Sequence, residues 1–360
     1  MSTWYARSLR EYVELVNCIS QKQADGARIY PLWFRGQEQT GCYYYLEPGI
    51  YRYISLKKEN NRVNDNRTYG TIWLKEEYRY QHFMARNYEK VSAMPDSLVE
   101  WQEIMQHYLT KTRLMDWSES AIVALGFALE AYINPLEDHE TQYRRQNDSP
   151  VVWTLNPIGL NNAVYDSIGE RKLVYRALPE VKKRVKEEII SSLKKNKEIY
   201  FDLDNSINGG VNGLISLSGL EALRKYQGAE IHENVVQQRF NPFFYLVLRY
   251  YSDGIGARVD ELPPLAIIHP YHSARIHEQK GAFTIFPYYD DVPETELHTS
   301  PFAMENMSKI NQYLDKIVIM NPWKVAGELK NIGLRRSHLY PEMDIVANDF
   351  ENLRYTNPII

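Results

Sequence analysis

Two short segments concentrate the residues able to do chemistry. The first is Trp33-Phe34-Arg35-Gly36-Gln37, and the second runs Gln106-His107-Tyr108-Leu109-Thr110-Lys111-Thr112-Arg113-Leu114-Met115-Asp116-Trp117-Ser118. Arginines, an aspartate, a histidine and glutamines stand here among aromatic and aliphatic neighbours, where an unpaired charge or amide is costly. They therefore pair with one another or serve a ligand. An arginine at a strand end presents a planar fork that can hold an oxygen of an anion through two hydrogen bonds, and a following glycine permits a turn or close backbone approach. Arg35 with Gly36 fits that anchoring role. For Gln106, His107, Arg113 and Asp116 two readings stand side by side. Either Arg113 and Asp116 form an internal ion pair while Gln106 and His107 bond loop backbone, or the four contact a ligand.

Other chemistries find less support. His269, His272 and His277 cluster, but their spacing matches no common metal site, so no metal is expected. The basic run from Lys182 to Lys197 is interspersed with Glu187 and Glu188 and reads as a solvated helix face. There is no Gly-rich phosphate loop and no Gly-x-Ser-x-Gly elbow, which leaves P-loop, kinase and α/β-hydrolase chemistry unsupported.

Behind these residues must stand a frame. The 360 residues suffice for one large domain or two ordinary ones, and a net charge of −4 implies no global attraction to nucleic acid or anionic membrane. With two cysteines, Cys18 and Cys42, no disulfide framework is expected. Met1 to Arg10 lack the apolar run of a signal peptide, and no stretch approaches the length of a spanning helix. A soluble, cytoplasmic protein without membrane contact is the expectation. The 28 tyrosines point mainly to amphipathic packing.

Periodicity predicts helices over Leu9–Ile19, Ile72–Glu89, Ser97–Tyr108, Ala121–Tyr132, Trp323–Ile332 and Met343–Asn352, with Gly333 ending the fifth. Asp96 or Ser97 is a candidate N-cap after a turn at Pro95-Asp96, and Ser118-Glu119-Ser120 caps the helix that follows. Strands are predicted over Ile29–Arg35, Thr112–Trp117, Val151–Leu155, Leu265–Ile268, Gly281–Phe286 and Lys316–Met320. Arg35 is thereby delivered at or near a strand end. Residues 134–150 read as a polar surface loop. The alternation gives an α+β fold. Its parts are an N-terminal helix (1–24), a core (25–155), a mainly helical insertion (156–262) and C-terminal strands and helices completing the same unit (263–360).

Phe34-Arg35-Gly36-Gln37, then Leu46-Glu47-Pro48-Gly49-Ile50-Tyr51-Arg52, then Gln106 to Ser118 resemble the FRG domain family, named for its Phe-Arg-Gly motif and widespread in bacterial and phage proteins. The resemblance covers about residues 25 to 135. Gln279-x-Gly281-x-Phe283 and Leu339 to Asp344 are similar to later, weaker motifs of the family. The sequence departs at Leu109, where a glycine is common, and at Lys111, where a proline is common; Met115 and Ser118 are milder replacements.

A more distant resemblance is to ADP-ribosyltransferase folds, in the order of a strand with aromatic-Arg-Gly, a strand with a hydroxyl leading into an Ala-rich helix, and a late strand preceded by an acid or amide. That resemblance implies an ADP-ribosyltransferase-like mixed core acting on NAD or a related nucleotide. It places Arg35, Ser118 and Gln279 in catalytic positions, with Asp116 as an alternative acid, since Gln279 carries no negative charge. Phe34, Gly36, Gln37, Gln106, His107, Tyr108, Thr112, Arg113 and Trp117 then surround the ligand, Tyr108 or Trp117 stacking on nicotinamide. Glu278 is expected on the opposite face from Gln279. A role in defence, toxin action or phage conflict, with a protein or nucleic-acid target, is implied on the same terms. The other class of function is a noncatalytic module that senses a nucleotide or holds a partner in the same pocket.

Overall fold

The computed structural model describes residues 1–24, 31–39, 45–52, 69–91, 98–133, 149–170, 256–257, 262–268, 274–289 and 302–352. Expectations for Pro95 to Ser97, most of the 134–150 loop, the charged helix at 178–197, and His269 and His272 lie outside them. In chain order the strands are β1 (Thr3–Ala6), β2 (Trp33–Gln37), β3 (Leu114–Ser118), β4 (Val151–Leu155), β5 (Gly256–Ala257), β6 (Leu265–Ile267), β7 (Gly281–Ile285), β8 (Tyr288–Tyr289) and β9 (Leu314–Ile319). Seven of them form one mixed sheet in the order β1-β9-β4-β2-β3-β7-β6, while β5 and β8 pair apart from it. Only β1 runs parallel to its neighbour in that sheet. The fold is a mixed α/β arrangement.

Strand alternation divides the core into two layers. Trp33, Met115, Trp117, Val151, Trp153 and Leu155 face one layer, packed with Leu46, Tyr51, Phe286 and Phe302. Phe34, Val152, Ile317 and Ile319 face the other. That second layer is covered by α1 (Leu9–Lys22), and further along the chain come α2 (Tyr69–Asn87) and α3 (Leu98–His107). Helix α4 (Ala121–Ala128) supplies Ala124, Leu125 and Ala128 to the same layer. Ser120 caps α4 by accepting from the Val123 amide at 3.4 Å. The helix expected to reach Tyr132 breaks at Leu129 and resumes as α5 (Glu130–Ile133). Among the described residues no helix is long and apolar enough to cross a membrane.

Asn156 both ends β4 and opens α6 (Pro157–Glu170), accepting from the Gly159 amide at 2.9 Å with Pro157 at the first helical position. Helix α7 (Ala274–Glu278) precedes β7, α8 (Pro322–Asn331) follows β9, and α9 (Met343–Asn352) follows in turn. Gly333, with φ of +94°, ends α8 as expected.

Several strands differ from the reading of the sequence: β3 begins at Leu114 and β9 at Leu314, and the short β5 and β8 stand outside the expected set. β2 continues through Gly36 to Gln37 because both residues pair with β4, opposite Val152 and Val151. Arg35 therefore stands inside the strand instead of at its end. β1 was not anticipated at all; it is four residues long and takes its place only through parallel pairing with β9.

Candidate functional site

β2 and β3 are neighbours in the sheet, yet they share a single registered pair, Phe34 with Ser118. Each makes five pairs with its other neighbour, β4 or β7. Past Phe34 the two strands part. Backbone groups along such a gap would lack partners, which is costly away from water. Side chains of the two motifs supply them. Arg35 donates from Nη1 to the Asp116 carbonyl at 2.6 Å, and Gln106 donates from Nε2 to the Leu114 carbonyl at 3.1 Å. Thr112 accepts from the Leu114 amide through Oγ1 at 3.2 Å. Gln106 also holds the Asp116 carboxylate, Nε2 to Oδ2, at 3.1 Å, while its own amide oxygen accepts from the Thr112 hydroxyl.

A cleft of about 340 Å³ opens at this gap. This is the small end of the range for small-molecule sites. Phe34, Arg35, Gly36, Gln106, His107, Asp116, Trp117, Ser118 and Gln279 all line it. Three separate stretches of sequence thus converge on one cavity. Burial and the nearby Arg52 push the Arg35 guanidinium below its ordinary range, partly countered by Asp116. The arginine nevertheless stays charged near neutrality, and among the described residues its Nε has no hydrogen-bond partner. Burial, with Arg275 close by, likewise pushes the His107 imidazole down, against the pull of Glu342. His107 is consequently neutral at pH 7 and able to accept a proton or a hydrogen bond.

The family model of the FRG domain matches residues 30–136. The chain carries an FRG domain. No curated protein and no solved structure matches it. The matched segment provides the gap, the arginine and one wall of the cleft. Arg275, Ile276, Gln279 and Phe283, all beyond the FRG segment, complete the lining of the cleft.

Not all of the residues named for the FRG site are available to a ligand, although Gly36 and Trp117 belong to the lining of its cleft. The Gly36 of the motif serves packing: a Cβ there would lie 1.9 Å from the Ala124 carbonyl oxygen and 2.6 Å from the Ala128 nitrogen. It is the approach of α4, and not that of a ligand, that requires glycine. Gln37 turns to the opposite layer, where its Oε1 accepts from the Trp153 indole at 2.8 Å. The Trp117 indole is also directed into that layer, donating to Thr284 Oγ1 at 3.1 Å, so it is not free to stack on a ring. Thr112 is buried and occupied with Gln106. Tyr108 is exposed outside the cleft, beside Phe83.

Arg113 is the clearest correction. Its ion-pair partner is Glu76 of α2, Nε to Oε2 at 2.6 Å, and not Asp116. The pair is sealed in the core with Gln102, the Phe286 carbonyl and the Tyr288 ring, whose hydroxyl donates to Glu76. Burial by itself would lower the Arg113 guanidinium, but Glu76 together with Tyr288 and Tyr51 outweighs it and raises it. The alternative of an internal pair thus holds for Arg113 with a different acid, and Asp116 is left to the cleft.

Ser118 and Gln279 line the FRG cleft while holding its walls. Ser118 Oγ donates to the Gln279 carbonyl at 2.7 Å and accepts from the Ser120 amide at 3.0 Å. Gln279 donates from Nε2 to the Leu339 carbonyl at 2.7 Å, tying the late motif to the cleft. Glu278 ends α7 and is exposed, so the turn at Gln279 and Lys280, and not strand alternation, separates it from Gln279.

Sequence reasoning missed Glu38, Glu103, Glu130 and Arg275 in the lining. Glu103 had a signal, standing three residues before Gln106 on one helix face. Glu130 holds Arg336 at 3.2 Å and Tyr340 at 2.8 Å, and Arg275 lies over the Tyr340 ring and pairs with Glu342 at 3.5 Å. These contacts join segments far apart in sequence, which no local pattern reveals.

Proposed function

We propose that the FRG cleft binds a nucleotide, NAD being the candidate, and cleaves or transfers at its N-glycosidic bond. The observation that carries this reading is the meeting of Arg35, Asp116, Ser118 and Gln279 in one cleft. Arg35 is the anchor for a phosphate or ribose oxygen. Asp116, oriented by Gln106, is the carboxylate positioned to stabilise an oxocarbenium-like centre as the bond breaks. In that step nicotinamide leaves with the bonding electron pair. Water, or an acceptor group on a protein or nucleic acid, adds to the anomeric carbon and gives up a proton. Ser118 and Gln279 act as positioning residues. A role in bacterial defence, toxin action or phage conflict belongs to this reading.

A second reading is a noncatalytic nucleotide sensor. It is favoured by the commitment of the Ser118 hydroxyl and the Gln279 amide N–H to backbone partners. Labelled NAD incubated with the protein, alone and with lysate, beside an Arg35→Ala variant, separates the two. Nicotinamide release or label transfer above the variant's level supports the enzyme. Calorimetric binding of NAD without either supports the sensor, and absence of binding overturns both.

A further inference from the structure

Helix α3 ends in a hydrogen-bonded reversal at the mouth of the cleft. The Leu109 amide donates to the Gln106 carbonyl at 2.9 Å and the Thr110 amide to the Met105 carbonyl at 2.9 Å. This pattern requires a left-handed residue at the position of Leu109, whose φ is +61°. Glycine meets that requirement without strain, and a leucine side chain does not. Its side chain is 88% exposed, so it contributes almost no burial to the fold. Yet Leu109 lines the cleft, one turn beyond Gln106 and in the same lining as Arg35 and Asp116. A strained backbone at the rim of a site, carrying an apolar side chain the core does not use, is the arrangement expected where that side chain meets a ligand.

We infer that Leu109 is a specificity-determining residue, forming an apolar lip on which a flat ring of the bound nucleotide packs. The inference rests on the nucleotide reading and extends it. Arg35 selects for the anionic part of the ligand, and Leu109 for the ring that projects past it. With Trp117 turned into the core, the apolar lining available to such a ring is Leu109 with Phe34, Phe127, Phe283, Ala124 and Ile276.

Opposite effects on stability and binding test this. Leu109→Gly relieves the left-handed strain, so the melting temperature should rise by about 2 °C, while the Kd for NAD rises about tenfold. Leu109→Ala keeps the strain and loses the lip, so binding should weaken similarly without the gain in melting temperature. Leu109→Met should retain affinity. Calorimetry with ADP-ribose and with nicotinamide mononucleotide as parallel probes identifies the ring: the probe whose affinity falls in Leu109→Gly carries it. If the wild type binds NAD and both small variants bind it equally well, the lip is overturned and the nucleotide reading stands. If the wild type binds none of the three probes, both fall together.

Discussion

Arg35 donates from Nη1 to the main-chain carbonyl of Asp116 at 2.6 Å, so a cation of the cleft also bridges the two strands that part to form it. In the proposed reading, anchoring a ligand and holding the gap fall to one side chain. Replacing it should therefore affect both. Arg35→Ala is expected to abolish detectable NAD binding and to lower stability by about 1.5–3 kcal/mol, the range for a hydrogen bond to a charged group. Arg35→Lys keeps the charge without the planar fork, and calorimetry should find its affinity reduced about tenfold or more.

Gln106→Leu removes the amide that holds both the Leu114 carbonyl and the Asp116 carboxylate. In the enzyme reading, nicotinamide release should fall by about tenfold to a hundredfold as Asp116 loses its orientation. NAD affinity, set mainly by Arg35, should change much less. A steady-state comparison of kcat with KM checks the split.

The Glu76–Arg113 pair tests the core beneath the site. Removing one partner leaves a buried charge alone, so Glu76→Ala should destabilise by about 3–5 kcal/mol in urea unfolding. Replacing both, as in Glu76→Leu with Arg113→Met, should recover much of that loss.

Gly36→Ala should be destabilising whatever the ligand. Its new Cβ meets the Ala124 carbonyl and the Ala128 backbone nitrogen, neither of which can move as a flexible side-chain tip could. A loss of about 1–3 kcal/mol or more is expected from thermal melts monitored by circular dichroism.

Glu305 introduces a pH dependence. Burial pushes its carboxyl up to about 7 from the ordinary 4.5, with Glu47 adding to the rise and the Leu46 amide opposing it. The folded state therefore holds a proton that the unfolded chain releases. Its contribution to stability is fully present below about pH 4.5 and is lost as the pH rises through about 7. Glu305→Gln should flatten the fall in melting temperature across that window.

Much of this frame was readable in the residues. Val151–Leu155 and Met343–Asn352 have the bounds their apolar patterns predict. The convergence of Arg35, Ser118 and Gln279 follows from the order of their strands. What periodicity could not supply was the identity of partners. Arg113 lies three residues from Asp116, and nearness in sequence suggested a pair, but strand geometry sends one into the core and the other to the cleft. Its true partner, Glu76, belongs to a helix far from that strand in sequence. Gly36 misled for a related reason. A glycine announces close approach without saying whether a ligand or a helix approaches.

The meagre pairing of β2 with β3 has a consequence for how the chain comes to be folded. β2 depends on β4 and β3 on β7, and both mates lie outside residues 30–136. A fragment cut to the family signature would hold two strands joined at one point, with bare edges prone to aggregation. During synthesis β3 must wait for residues near 285, and β1 for those near 319, before either finds its place. Such distant pairings make for slow folding. The FRG signature is thus a recognisable portion of a sheet that is complete only once β9 has been made.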